Sequence, residues 1–338
     1  MSKHFILRFP SFRLLAAALF LSMALPYALF AQTSFENGFS VNVRPALPAP
    51  YEKVSLSLVS YSVNLDTATI TWSVNGKREL SGKGATSFSF TAGKTGEAAR
   101  VAVTVAPAGG GTVSRSVTVV PGNVDLVWEA VNSYAPPFYR GKTLPSSESS
   151  IRVVALPDMR SGSAALKAEN LVYRWKRNQK TELSSSGYGR NSLAFKGGFE
   201  DDIERVEVTA TTEDGTIAAD GAVSIGIGAP LVLFYENRPL EGIHYEETLP
   251  ARFTLGNEEM RVVAEPYFFS SREKSALPFE WWVNGKRIAS DEDDKSSVTL
   301  RVPPAGSGVA ALFLSVIHPS KFMQSGEGTL YLKFADEQ

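Results

Sequence analysis

The chain of 338 residues contains no cysteine and only three histidines. The first absence excludes disulfides, thiolate zinc sites and a cysteine nucleophile, so each domain must be held by its apolar core alone. The second leaves little for acid–base chemistry. His4 lies in the first 31 residues, and neither His244 nor His318 has the companions of a metal box or a Ser-His-Asp triad. No Gly-x-Ser-x-Gly elbow is present, and His318, just before Pro319, reads as an ordinary loop histidine, as does His244. Charge of one sign is also missing: 34 basic residues stand against 35 acidic ones, which argues against nucleic acid as a partner. After Ala31 no apolar run is long enough to span a membrane, and no stretch has the apolar spacing of an amphipathic helix.

The first 31 residues do have a pattern. Lys3, Arg8 and Arg13 precede an apolar run from Leu14 to Phe30, and small Ala31 precedes polar Gln32. That is the layout of a secretory signal peptide, residues 1–31. Leu29 occupies a position where a small residue is preferred, so an uncleaved N-terminal anchor is the alternative. Cleavage leaves 31 basic against 35 acidic residues, a formal charge of −4. Residues 32–50 carry Pro45, Pro48 and Pro50 and read as a Pro-containing linker, with Phe39-Val41-Val43 as an optional leading strand from about 38.

A tryptophan-centred strand and turn then occurs three times: Ile70-Thr71-Trp72-Ser73-Val74-Asn75-Gly76, Tyr173-Arg174-Trp175-Lys176-Arg177-Asn178 and Phe279-Glu280-Trp281-Trp282-Val283-Asn284-Gly285. The tryptophans Trp72, Trp175 and Trp281 stand 103 and 106 residues apart, about one small domain per step. In each copy an alternating pair follows (Phe88/Phe90, Leu193/Phe195, Val298/Leu300), then a strand-like run centred on Val103, Val208 or Leu314. Period-two alternation rich in β-branched and aromatic residues marks half-buried strands. The reading is all-β, with three tandem domains at 51–121, 122–228 and 229–338, joined at Pro121-Gly122-Asn123 and at Gly226-Ile227-Gly228-Ala229-Pro230. Asn75-Gly76 and Asn284-Gly285 suit two-residue hairpins. Gln179 replaces the glycine in the middle copy and predicts a different or longer turn there.

A large aromatic on a central strand followed by a tight Asn-Gly hairpin resembles the third strand of immunoglobulin-like sandwiches and the related PKD-type domains of bacterial surface proteins. The resemblance covers residues 51 to 338. It departs from that pattern in lacking a cysteine pair and an obvious tyrosine corner. It implies three tandem Ig-like (PKD-like) antiparallel β-sandwiches. The chain is also similar to exported multi-domain Ig-like proteins of small-genome bacteria, which implies a surface or periplasmic setting and no particular chemistry.

Two classes of candidate site follow. Carboxylate runs at Glu200-Asp201-Asp202 and Asp291-Glu292-Asp293-Asp294 offer calcium ligands in Asp201, Asp202, Asp291, Asp293 and Asp294, against the plainer reading of solvated turns. Aromatics off the strand pattern offer partner-binding groups: Trp282, which alternation sets opposite Trp281, and the lead-in residues Trp128, Tyr139 and Tyr235, with Tyr134, Phe138 and Tyr245 beside them. The plainer reading of the lead-in group is packing against a neighbouring domain. The expectation is a non-catalytic exported spacer, adhesion or assembly module of the cell envelope without a cofactor. Its partner would be an envelope protein or glycan, and membrane only through an uncleaved N-terminus. The alternative is a carbohydrate-binding module using exposed aromatics.

Overall fold

The computed structural model describes residues 38–255, 259–302 and 308–334. The predicted signal segment, the first part of the linker and the last four residues lie outside these. Among the described residues every regular element longer than three residues is a strand, and no helix is long and apolar enough to cross a membrane.

The first sandwich is built from β1 (Ser40–Arg44), β2 (Lys53–Val59), β3 (Thr69–Val74), β4 (Lys77–Lys83), β5 (Ser87–Thr91), β6 (Ala99–Ala106) and β7 (Val113–Val119). A three-stranded sheet β1-β2-β5 faces a four-stranded sheet β4-β3-β6-β7. Alternation decides which residues meet between them: Val54 and Leu56 from one sheet, Ile70, Trp72, Val101 and Val103 from the other, all essentially sealed from solvent. Ser40–Arg44, inside the stretch read as linker, thus belongs to this sandwich, paired along β2 with Phe39 buried in the core.

The second sandwich contains β8 (Asn123–Val131), β9 (Ser150–Asp158), the small hairpin β10 (Arg160–Ser161) and β11 (Ala164–Ala165), then β12 (Val172–Arg177), β13 (Lys180–Thr181), β14 (Gly187–Tyr188), β15 (Ser192–Lys196), β16 (Ile203–Thr211) and β17 (Ala218–Gly226). Sheet β15-β9-β8 faces sheet β13-β12-β16-β17. The third contains β18 (Leu231–Arg238), β19 (Gly242–Ile243), β20 (Arg252–Leu255), β21 (Glu259–Tyr267), β22 (Phe279–Val283), β23 (Lys286–Ile288), β24 (Ser297–Arg301), β25 (Gly308–Ile317) and β26 (Ser325–Phe334). Its sheets are β19-β18-β21-β24 and β20-β26-β25-β22-β23. Here the expectation of purely antiparallel sheets is corrected. The lead-in chain crosses to the opposite sheet, where β20 runs parallel to β26 and covers its edge.

Trp72, Trp175 and Trp281 each sit at the centre of their own core, at most 1% exposed. Each indole N–H, which burial would otherwise orphan, donates to a backbone carbonyl 13 to 15 residues on: Trp72 to Ala85 at 2.8 Å, Trp175 to Arg190 at 2.8 Å, Trp281 to Lys295 at 3.1 Å. The asparagine of the turn repeats as faithfully. Asn75, Asn178 and Asn284 each donate their backbone N–H to the carbonyl of Arg100, Arg205 or Ala311, and each accepts that residue's N–H on Oδ1 at 2.8 to 2.9 Å. This double tie explains a second correction. Arg177 pairs Lys180, so Asn178-Gln179 forms a two-residue turn like the others, with φ of 46° and 68°. The tie to the neighbouring strand fixes the turn, and Gln179 accepts the left-handed backbone that glycine would adopt at lower cost.

Candidate functional site

Among the described residues, a dense set of non-core side-chain interactions lies where the second sandwich meets the third. Residues 132–149 leave β8 and contain Pro136, Pro137 and Pro145, which stop the strand and stiffen an extended excursion. The excursion runs along the third sandwich. Tyr134 donates its N–H to Phe269 O and accepts that of Phe268, both at 2.7 Å, so the two segments pair for one step like strands. Phe268 takes φ 64°, a conformation costly for a bulky side chain, within this paired step.

Below that pairing lies a sealed polar knot. Ser146, Ser147, Ser149 and Gln324 are each no more than 1% exposed. Ser146 Oγ donates to Phe268 O at 2.7 Å, and Ser149 and Ser270 share a hydroxyl hydrogen bond at 2.9 Å. Gln324 Nε2 donates to Ser147 O at 2.6 Å and to Ser270 Oγ at 2.7 Å, while its Oε1 accepts the Ser270 N–H at 2.8 Å. The loop 318–324 between β25 and β26 reaches further: Lys321 Nζ donates to Glu148 O and the Met323 N–H to Glu148 Oε2, at 3.2 and 3.3 Å. His318 lies in this knot. It is 8% exposed, which corrects its reading as an ordinary loop residue.

Beside the knot the lead-in aromatics interlock. Phe138 stacks on Tyr245 at 3.8 Å between ring centroids and meets Tyr235 edge-on at 5.9 Å. Tyr139 meets Tyr267 and Phe268 edge-on at 5.8 and 5.7 Å. Tyr235, 3% exposed, shares a 2.8 Å hydroxyl hydrogen bond with Tyr267. Burial, the Tyr235 hydroxyl and the Glu265 carboxylate push the Tyr267 phenol above its usual range, and burial first, then Glu265 and Asp294, raises Tyr134 to about 12. These phenols stay neutral at physiological pH. Glu265, itself 2% exposed, accepts from Lys274 at 3.0 Å and from the Tyr245 hydroxyl at 3.3 Å.

The other candidates fall elsewhere. Trp128 turns inward on β8 and packs on the second core, with the Lys142 ammonium 3.2 Å from its ring centroid. Burial lowers the Lys142 pKa. Trp282 is half-buried on the outer face of the five-stranded sheet, tilted against Phe313 at 5.3 Å, with exposed Tyr331 two strands away. Asp202 caps its own turn by accepting the Phe199 N–H at 2.7 Å, and Asp201 carries a left-handed φ of 63°. Asp291 accepts from Ser297, Thr299 and Arg261; Asp293 takes Arg261 on both oxygens at 2.8 Å; Asp294 accepts the Ser296 N–H and hydroxyl. The Arg261 hydrogen bond holds the Asp293 carboxyl below its usual range. The chain's own donors thus engage the oxygens of Asp202, Asp291, Asp293 and Asp294, and the described residues contain no group of three or more His, Cys, Asp or Glu arranged to hold a metal.

No protein-family model matches the chain, and no curated protein matches it. Among solved structures it is similar to the three N-terminal domains of the bacteriophage RB49 highly immunogenic outer capsid protein, at 10% identity over 89% of this chain and 98% of that one, with a TM-score of 0.26. It is also similar to a central fibronectin-III array of RIM-binding protein, at 11% identity over 89% and 97%, TM-score 0.31. A third similarity is to the fibronectin(III)-like modules of Clostridium thermocellum CbhA, at 12% identity over 56% and 94%, TM-score 0.27. Such scores carry no weight by themselves. The chain is a tandem array of three immunoglobulin-like β-sandwiches on the evidence of its strand pairing and its three separate cores.

Proposed function

We propose that the chain is an exported, non-catalytic spacer or assembly module of the cell envelope, in which the second and third sandwiches act as one stiff unit and the first is carried on a slighter joint. The supporting observation is the knot of Ser146, Ser147, Ser149, Ser270 and Gln324, a hydrogen-bonded side-chain network that lies between domains rather than in a cleft. A spacer needs stiffness of that kind. Export rests on the layout of residues 1–31. Affinity capture from envelope extract, read by mass spectrometry, is expected to return an envelope protein or polymer. Fractionation that leaves the chain in the cytoplasm contradicts the proposal.

A second reading as a glycan-binding module is favoured by Trp282, which stands with Phe313 and Tyr331 on one outer sheet face. A glycan-array signal lost in Trp282→Ala supports it, and no signal from the parent chain removes it.

A further inference from the structure

His318 follows the last residue of β25 and opens the loop 318–324 that grips the second sandwich. Both ring nitrogens are committed. Nδ1 accepts the Ser320 N–H at 3.1 Å, so the proton sits on Nε2, which donates to Ser270 O at 3.1 Å. Ser270 is the hub of the interdomain knot, since its N–H and hydroxyl bind Gln324 and its hydroxyl also meets Ser149 of the second sandwich. The ring thus ties the loop to the knot through the neutral tautomer protonated on Nε2, with the Ser320 hydroxyl 3.5 Å from Nδ1 as a more distant neighbour.

We propose that His318 is an acid-sensitive latch: a proton on Nδ1 faces the Ser320 N–H donor to donor, opens the loop 318–324, and releases its hold on Glu148 of the second sandwich. The two sandwiches then hinge where they were locked. The charges that face the ring are Lys321 on its own loop, which opposes protonation, and Glu148 from the second sandwich, which favours it; the segment carrying Ser270 contributes a carbonyl. Lys196 adds positive charge near Lys321. Burial is the largest influence and, with Lys321, outweighs Ser270 and Glu148, holding the ring below the usual 6.5. The folded junction therefore binds fewer protons than the released one. Its contribution to the lock is complete above 6.5 and is lost as pH falls through the lowered value. This device belongs to the junction and works whatever partner the chain holds.

The test uses the full chain, whose lack of cysteine permits clean labelling. Spin labels at Lys180→Cys and Lys286→Cys, both exposed, report the distance between the two sandwiches. From about pH 7.5 to about pH 5 the distribution is expected to pass reversibly from narrow to broad, the span over which a histidine changes charge. The midpoint should coincide with the His318 ring titration followed by NMR, below 6.5. The resonance that disappears in His318→Gln is assigned to His318, His4 and His244 being the other two histidines. His318→Gln, which keeps a donor for Ser270 and cannot titrate, is expected to stay narrow throughout. A distribution that stays narrow while the ring titrates overturns the latch, as does a His318→Gln chain that broadens like its parent. Should that variant fail to fold, the two midpoints in the parent chain decide, and midpoints that do not coincide overturn the proposal.

Discussion

The two joints of this chain are of similar length but differ in what crosses them. At the first, Thr95 Oγ1 donates to Asp158 at 2.7 Å in an exposed contact, and Gly96 at φ 77° comes so near Arg160 that an added Cβ would lie 2.5 Å from that residue's own. Around these lies an open cleft lined by charged and small residues, among them Lys94, Glu97 and Arg160. At the second joint a long excursion of one sandwich lies on the other, with sealed serines, a sealed glutamine and an interlocked aromatic layer. On the proposed reading, what crosses a joint rather than its length sets its stiffness. Buried polar groups that must stay paired stiffen it, because parting the domains would leave each donor and acceptor to find water in a confined space.

The largest way to break the contrast is to remove a core. Trp281→Ala should cost about 3–5 kcal/mol in the third sandwich and weaken the second junction with it. Trp72→Ala should cost as much in the first sandwich while leaving the melting of the other two in place. Calorimetry, in which an array of domains melts as separate or coupled units, reads both. A smaller break acts on the junction itself. Gln324→Ala strands Ser147 O and the Ser270 N–H, at a cost of about 1–3 kcal/mol, and should divide a shared transition of the second and third sandwiches into two. Thr95→Val at the first joint should change stability by no more than about 0.5 kcal/mol. The turns sharpen the comparison at smaller scale. Gln179→Gly should stabilise the second sandwich by about 0.5–1 kcal/mol, the left-handed strain relieved less the entropy glycine adds to the unfolded chain, whereas Gly76→Gln should destabilise the first.

What the sequence disclosed and what it hid divide along the same physical line. Alternation and the spacing of Trp72, Trp175 and Trp281 made the three cores readable, because a strand's inward face is a local, periodic property. The lead-in aromatics were visible as a group, and packing against a neighbour was one of two readings for them. Their pairing of Phe138 with Tyr245 joins residues more than a hundred positions apart, which no local pattern records. Ser146, Ser149 and Gln324 left no signal, since serines and glutamines are ordinary in loops and become distinctive only when sealed. Gln179 misled because the turn is fixed by the Asn178 hydrogen bonds to Arg205 rather than by the residue after it.

Distances across the two joints test the account most directly. The three lysines that follow the equivalent turns, Lys77, Lys180 and Lys286, are all exposed, and a chain without cysteine takes a pair of spin labels at any two of them. Near neutral pH the distribution between Lys180→Cys and Lys286→Cys should be narrow and that between Lys77→Cys and Lys180→Cys broad. Equal widths, or a broader distribution across the second joint, would contradict the claim that the second and third sandwiches form one stiff unit.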